Sequence, residues 1–103
     1  MARFDVLRNP NPATATAVPY VVVLQHPLFD DLATRLVAPL YAGSAVRRRL
    51  TRLNPAFAVE GREVVLMVTE TVGIPVSALG PVVASLGAEA PVILGALDFL
   101  LSG

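Results

Sequence analysis

The chain has 103 residues, of which 54% are hydrophobic, with a formal net charge of zero and no cysteine. This length predicts one domain with a single modest core, and the lack of cysteine excludes disulfides, thiol nucleophiles and thiolate metal sites. Because the net charge is zero, no overall field draws the chain to nucleic acid or to an anionic membrane.

The apolar residues are not grouped as a membrane segment requires. No apolar run approaches the roughly 18 residues of a spanning helix, and Arg3 and Asp5 place charge where a secretory signal needs its apolar core. We therefore expect a cytoplasmic protein without membrane contact. Its hydrophobic share exceeds that of an ordinary soluble domain, so part of the surface should be buried against a partner.

Three apolar segments in the first half of the chain predict β-strands. Arg3–Leu7 alternates polar and apolar residues, as a half-buried strand does, whereas Tyr20–Leu24 is continuously apolar. Between them, Asn9–Thr16 predicts a loop. Thr34–Leu40 predicts the third strand, in which Pro39 indicates an edge or a bulge because proline lacks the N–H of a sheet ladder.

The loop after the second strand carries two large apolar residues, Leu28 and Phe29. Either they fold back as a plug of the core or they contact a partner, and both interpretations are open. The only histidine, His26, lies close to Asp30 and Asp31. One histidine with two carboxylates on a short loop is a weak indication of a metal or acid–base site, because such sites draw on several elements. A surface histidine is the preferred interpretation.

The rest of the chain is expected to be organised around the strand Val64–Val68. This unbroken, mostly β-branched run suits a strand that is buried on both faces. Glu60–Gly61 separates it from the apolar segment Ala56–Val59 and predicts a hairpin turn. Gly73 and Pro75 are expected to end the strand and begin a turn-rich exit.

Two further segments are less regular. The connection before the hairpin contains Arg47, Arg48, Arg49 and Arg52, which indicates either a phosphate-binding patch or a solvated connector. The connector is favoured because no aromatic residue is interleaved and the whole chain is neutral. Val82–Leu86 predicts either one helical turn or a short strand.

The last segment, Glu89–Leu101, predicts a helix. Glu89 suits the positive N-terminal end, and Pro91 is tolerated within the first turn. The apolar residues lie nearly all round the helix, so we expect one face to cover the sheet and another to meet a second subunit.

No motif of a catalytic or phosphate-binding site is present. The serines lack a G-x-S-x-G context, and the spacing of Gly73, Gly80 and Gly87 matches neither glycine-rich fingerprint. The residues therefore favour a binding protein over an enzyme, without a metal or another cofactor.

The order of these elements and several short strings resemble the CcdB family. The strongest string is Ile74–Gly80, which follows an apolar strand. Arg35–Leu40 resembles the third strand of the family, and Phe4, Val6 and Tyr20–Gln25 fall in the family order. The resemblance extends over almost the whole chain.

The resemblance implies a fold and a function. The fold is mainly β with one C-terminal α-helix, an SH3-like, partly open antiparallel barrel of the CcdB/MazF kind, with residues 1–103 forming a single toxin domain. The function is that of a non-enzymatic toxin and homodimer, which binds the DNA gyrase A subunit and traps the cleaved gyrase–DNA complex. A CcdA-like antitoxin neutralises it, and DNA is contacted only indirectly, through the antitoxin or gyrase.

The resemblance also implies the residues that bind gyrase and the antitoxin. They lie in the loop after the second strand and at the end of the helix: Gln25, Leu28, Phe29, Asp98, Leu101, Ser102 and Gly103. The best-known members carry Trp followed by Gly-Ile at this end. Here Ser102 occupies the tryptophan position, and Asp98 replaces an amide.

Two alternatives belong to other functional classes. One is a toxin-derived decoy that binds the antitoxin but no longer acts on gyrase. The other is a MazF-like ribonuclease toxin, which shares the barrel fold. That ribonuclease needs an arginine with an acidic or hydroxyl partner beside the loop after the first strand. The loop Asn9–Thr16 contains no charged residue, which disfavours this alternative.

Overall fold

The computed structural model describes residues 1–103 and contains seven strands and one α-helix. The strands are β1 (Asp5–Arg8), β2 (Tyr20–Val23), β3 (Thr34–Ala42), β4 (Ala56–Val59), β5 (Arg62–Leu66), β6 (Val72–Pro75) and β7 (Val82–Ser85), and the helix is α1 (Ala90–Ser102). Short 3₁₀ turns link several of them, at Pro27–Phe29, Gly43–Ala45, Val68–Glu70, Val76–Ala78 and Gly87–Glu89.

All strand pairs are antiparallel, and the order across the sheet is β4-β5-β3-β2-β1-β7, with β6 also paired to β3. Strand β3 is long enough to pair with β6 through its first half and with β5 through its last three residues. The curled sheet with one C-terminal helix agrees with the expected mainly β, half-open barrel.

Pro39 lies where the two partners of β3 separate. The Leu24 N–H donates to the Leu36 carbonyl, so the backbone groups of Leu36 point toward β2. Successive residues of a strand point to alternate sides, and Pro39 is three residues further on, so its nitrogen points away from β2. There the sheet passes from β6 to β5, and the Met67 N–H donates to the Pro39 carbonyl over 3.1 Å. The missing N–H of proline therefore leaves no ladder bond unmade, and the predicted edge or bulge is wrong, because β3 is a central strand with a regular register at Pro39.

The sheet buries side chains on both of its faces. The larger cluster lies under α1, which contributes Ile93 and Ala96. A smaller cluster on the other face contains Leu7, Val23 and Val37, covered by partly buried residues such as Leu79. Burial on two faces explains why the runs Tyr20–Leu24 and Val64–Leu66 are continuously apolar.

Strand β5 is buried on both faces, as its composition predicts, but it is not the centre of the fold. Val64, Val65 and Leu66 are fully buried. The strand ends at Leu66, and Val68 already begins a 3₁₀ turn. Because β5 pairs only with β4 and β3, the central position belongs to β3.

The predicted turn-rich exit is wrong, because Val72–Pro75 forms strand β6. Gly73 and Pro75 are tolerated since β6 pairs with β3 alone and Pro75 is its last residue. The first strand begins later than predicted because Phe4 has a left-handed φ of 67°. Val82–Ser85 is a strand, paired with β1.

The helix covers one face of the sheet and leaves its other faces open. Pro91 lies in the first turn, where its missing N–H costs no helical bond. Val92, Leu94, Leu100 and Leu101 remain exposed. No helix of this chain is both long and apolar enough to cross a membrane.

A carboxylate introduced into β5 should prevent folding. Val65→Asp would bury an unpaired charge at a position with 0% exposure, at a cost of about 3–5 kcal/mol, which is a large part of the stability of a small domain. Thermal unfolding followed by circular dichroism should show no cooperative transition. Val82→Asp, at an exposed site on β7, is the control and should melt close to the unchanged protein; a folded Val65→Asp variant would contradict the two-sided burial of β5.

Candidate functional site

The loop between β2 and β3 presents Leu28 and Phe29 to solvent. Their side chains are 75% and 49% exposed, so the interpretation of a core plug is wrong. His26 forms the turn that carries them: its Nδ1 accepts from the Leu28 N–H over 3.1 Å, and its carbonyl accepts from the Phe29 N–H over 3.0 Å. The histidine therefore has a local structural role as the N-cap of this turn.

Gln25 closes the base of the same loop. Its Nε2 donates to the Phe29 carbonyl over 2.8 Å, and its Oε1 accepts from the Leu36 N–H over 3.1 Å. The side-chain amide thus ties the loop to the first residues of β3. Among the predicted binding residues, Gln25 is the one whose polar group is bonded to the loop backbone.

The C-terminal end of α1 carries the other predicted residues. Leu101 is 80% exposed, and the Ser102 hydroxyl lies 2.9 Å from the Asp98 carbonyl and 3.0 Å from its carboxylate. Gly103 has a left-handed φ of 74°, and its N–H donates to the Phe99 carbonyl over 3.0 Å. This is the conformation that favours glycine after a helix.

The predicted residues thus form two groups. Gln25, Leu28 and Phe29 belong to one loop, and the remaining four residues belong to one helix end. No hydrogen bond or ion pair connects the two groups. Each group contains at least one largely exposed apolar side chain, and no cluster of three or more His, Asp or Glu side chains in the fold is arranged to hold a metal ion.

The arginines between β3 and β4 are only partly engaged within the chain. Arg49 donates to the Gly43 carbonyl over 3.0 Å and to the Glu63 carboxylate over 2.9 Å, which lowers the pKa of Glu63. Arg52 lies over the Phe99 ring, 4.5 Å from its centroid. Arg47 and Arg48 are exposed and make no ion pair, as a solvated connector would.

A polar network that the sequence does not indicate joins the β4–β5 hairpin to β1 and β2. The buried Tyr20 hydroxyl donates to Glu60 Oε1 over 2.6 Å, and Arg8 Nη2 lies 3.2 Å from both carboxylate oxygens. The bond from Tyr20 and the charge of Arg8 lower the pKa of Glu60. Burial, followed by the same bond, raises the pKa of Tyr20.

This network also bears on the ribonuclease alternative. Arg8 is the basic residue nearest to the loop after β1, and its guanidinium is bound to Glu60. On the other face of the sheet, the same loop borders an open groove of about 400 Å³. The floor of the groove is apolar and includes Val21, Val37 and Ile74. Arg8, Thr14 and Glu70 also line this groove, and the acid bound to the arginine beside the loop is Glu60.

The family model described as CcdB protein matches residues 3–103. The chain belongs to the CcdB family. It is therefore a toxin of a toxin–antitoxin module, from a family of gyrase inhibitors, and its β half-barrel fits the SH3-like description of that family. No curated protein sequence matches the chain.

Family membership confirms the resemblance that the short strings indicated. The strings that carried it now have structural positions: Arg35–Leu40 lies in β3, and Ile74–Gly80 runs from the end of β6 through a 3₁₀ turn. Gly80 is required there because a Cβ would lie 2.1 Å from the Arg8 carbonyl oxygen. These strings are therefore features of the fold, whereas the predicted binding residues lie in the loop after β2 and at the helix end.

The Tyr20–Glu60 bond should make the stability of the folded protein depend on pH in the acidic range. Because the pKa of Glu60 is below its ordinary value of 4.5 in the folded state, the folded protein binds fewer protons than the unfolded chain. The stabilisation is therefore present above about pH 4.5 and is lost as the pH falls through the folded pKa. Melting temperatures from about pH 6 to about pH 3 should fall less steeply for Glu60→Gln than for the unchanged protein.

Asp31→Asn removes an exposed carboxylate that makes no hydrogen bond or ion pair, so it controls for the loss of one charge. It should follow the unchanged protein more closely than Glu60→Gln does. If the melting temperatures of Glu60→Gln and of the unchanged protein fall equally as the pH is lowered, the network does not stabilise the folded state.

Proposed function

We propose that this toxin binds the DNA gyrase A subunit and traps the gyrase complex in which the DNA is cleaved, and that a CcdA-like antitoxin neutralises it. Membership of the CcdB family supports this proposal. The observation that carries it is the exposure of Leu28 and Leu101, 75% and 80%, at positions that the family resemblance assigns to binding. Large apolar side chains held in water are typical of partner surfaces.

The proposed binding residues divide into anchors and supports. Leu28, Phe29 and Leu101 are the apolar anchors, and full burial of one such side chain contributes about 1.5–3 kcal/mol. Gln25 shapes the loop. The remaining three residues, Asp98, Ser102 and Gly103, form the polar rim of the helix end.

This action needs no catalytic group, metal or other cofactor in the toxin. A protein that binds the cleaved state of gyrase more tightly than the intact state shifts the population toward cleavage by that difference in affinity. Gyrase performs the DNA chemistry itself. DNA then meets the toxin only through gyrase or through the antitoxin, and the site of action is the cytoplasm.

We also propose that the toxin is a homodimer. The faces of α1 that carry Val92, Leu94 and Leu100 are left open by the sheet. A twofold axis would bury such faces against the same faces of a second copy. The hydrophobic share of 54% supports this need for a second burial surface.

The decoy function is the second candidate, and Ser102 is the observation that favours it. The serine at the tryptophan position of the family is small, and its hydroxyl is bonded to Asp98. A large aromatic anchor is typically worth about 2 kcal/mol or more, or about thirtyfold in affinity. We therefore expect weak gyrase binding in a standard enteric host, with antitoxin binding largely retained.

The dimer is testable by dilution. Sedimentation at micromolar concentration should give the mass of two chains, and the melting temperature should fall as the protein is diluted, because dissociation and unfolding are linked. A monomer whose melting temperature does not depend on concentration would contradict the dimer.

The helix end is testable by restoring the anchor. Ser102→Trp with an isoleucine added after Gly103 should increase gyrase A binding by about thirtyfold. It should also increase the trapped DNA cleavage in an assay with purified gyrase, without a change in melting temperature. Ser102→Ala with the same added isoleucine is the matched control, because it also removes the bond to Asp98 and supplies no aromatic ring.

The two proposed functions give different results in this experiment. If neither the unchanged protein nor the tryptophan variant binds gyrase, including the gyrase of its own host, while both bind the antitoxin, the decoy function replaces the gyrase function. If the unchanged protein binds gyrase and the double variant Leu28→Ala, Phe29→Ala does not, the gyrase function is supported.

A further inference from the structure

Arg35 is the only charged residue that the fold buries, with 9% of its surface exposed. It lies on β3 opposite Ile74 of β6, and its guanidinium turns back onto the preceding loop. Nη1 donates to the Leu32 carbonyl over 2.6 Å and to the Thr34 carbonyl over 3.0 Å, and Nη2 donates to the Asp30 carbonyl.

The loop that receives these bonds has no apolar packing to fix it. Leu28, Phe29 and Leu32 are all about half exposed or more, so they contribute little to the core. Residues 30–33 belong to no strand or helix. Backbone carbonyls in such a segment must find partners outside a ladder. A guanidinium, with several N–H donors in one plane, can bind a group of them at once.

The neighbouring carboxylate adds little to this arrangement. Asp30 Oδ1 lies 3.8 Å from Arg35 Nε, and that Nε makes no hydrogen bond. The separation exceeds hydrogen-bond distance, and the Asp30 side chain is 41% exposed, so water partly screens the attraction. The three carbonyl bonds of the guanidinium therefore act together with the side-chain amide of Gln25 and the cap of His26 to shape the loop.

We infer that Arg35 is a positioning residue, which holds the loop His26–Ala33 in the conformation that presents Leu28 and Phe29 to a partner. The identity of that partner rests on the proposed function; the support of the loop rests on the contacts of Arg35 alone. A loop that is ordered before binding loses less conformational freedom when it binds. Removal of the guanidinium should therefore lower affinity more than it disturbs the sheet.

The first test measures the loop without any partner. Arg35→Met removes every donor and keeps an apolar stem of similar length. Hydrogen exchange should become at least about tenfold faster at the amides of Phe29, Asp30 and Leu32, which are bonded within the loop. The buried strand amides should change much less. Arg49→Met is the matched control, because Arg49 also binds a carbonyl and a carboxylate, but on another loop. Unchanged loop exchange in Arg35→Met would overturn the inference.

The second test separates positioning from overall stability. The affinity for a gyrase A fragment and for an antitoxin peptide is measured for the unchanged protein, Arg35→Met, the Leu28→Ala, Phe29→Ala variant, and the combination. Arg35→Met should weaken binding roughly tenfold when the anchors are present and less than about twofold when they are absent. Equal losses on both backgrounds would show that Arg35 acts through the whole fold, and the inference would fall.

If the proposed function is wrong, the exchange and affinity measurements give a different combination of results from those expected for a wrong role of Arg35. If the unchanged protein binds neither partner, the proposed function is wrong, and the exchange measurement alone decides the role of Arg35. If Arg35→Met does not fold, Arg35→Lys replaces it, because lysine keeps the charge and most of the stem but lacks the planar group of donors. Loss of folding in both variants would identify Arg35 as a requirement of the fold and overturn the inference.

Discussion

Strand β3 pairs with β2 along one side and with both β5 and β6 along the other. The rest of the structure depends on this double pairing, because it brings the hairpin β4–β5 and strand β6 onto one sheet. Pro39 lies at the point where one partner gives way to the other. Proline has no N–H, so it leaves no donor without a partner at that point.

The division of β3 also produces the two buried faces. The helix covers the face that includes Ala38 and Leu40, and the segment after β6 covers the face that includes Val37. In a chain of 103 residues this uses most of the apolar surface within one small body. The loop before β3 and α1 carry seven of the thirteen exposed large apolar residues, and these are the elements that the CcdB family resemblance assigns to partners.

Polar side chains hold the segments that the core does not reach. Arg35 binds the carbonyls of the loop before β3, and Tyr20 binds Glu60 at the turn of the β4–β5 hairpin. Asn54, which is buried, accepts from the Leu50 N–H and donates to the Leu66 carbonyl, and so fixes the arginine-rich connection against β5. Arg35 and Asn54 thus satisfy backbone groups, and the exposed Glu60 satisfies the hydroxyl of the buried Tyr20, which would otherwise be costly to bury.

The amino-acid sequence by itself determined the family, the mainly β class, most of the strands and the C-terminal helix. Apolar runs such as Val64–Leu66 and short strings such as Ile74–Gly80 are local properties, so they can be recognised without a structure. The helix and its first-turn proline were predictable for the same reason, since Pro91 is compatible with only one part of a helix.

Only the tertiary structure decided which strand is central, that Val72–Pro75 is a strand, and that Leu28 and Phe29 face solvent. Gly73 and Pro75 have local preferences against a strand, and pairing with β3 overrides them. The role of Arg35 was equally hidden, because its partners are carbonyl groups, which every residue possesses. Contacts between side chains and distant backbone leave no pattern in the sequence, and those contacts shape the candidate site.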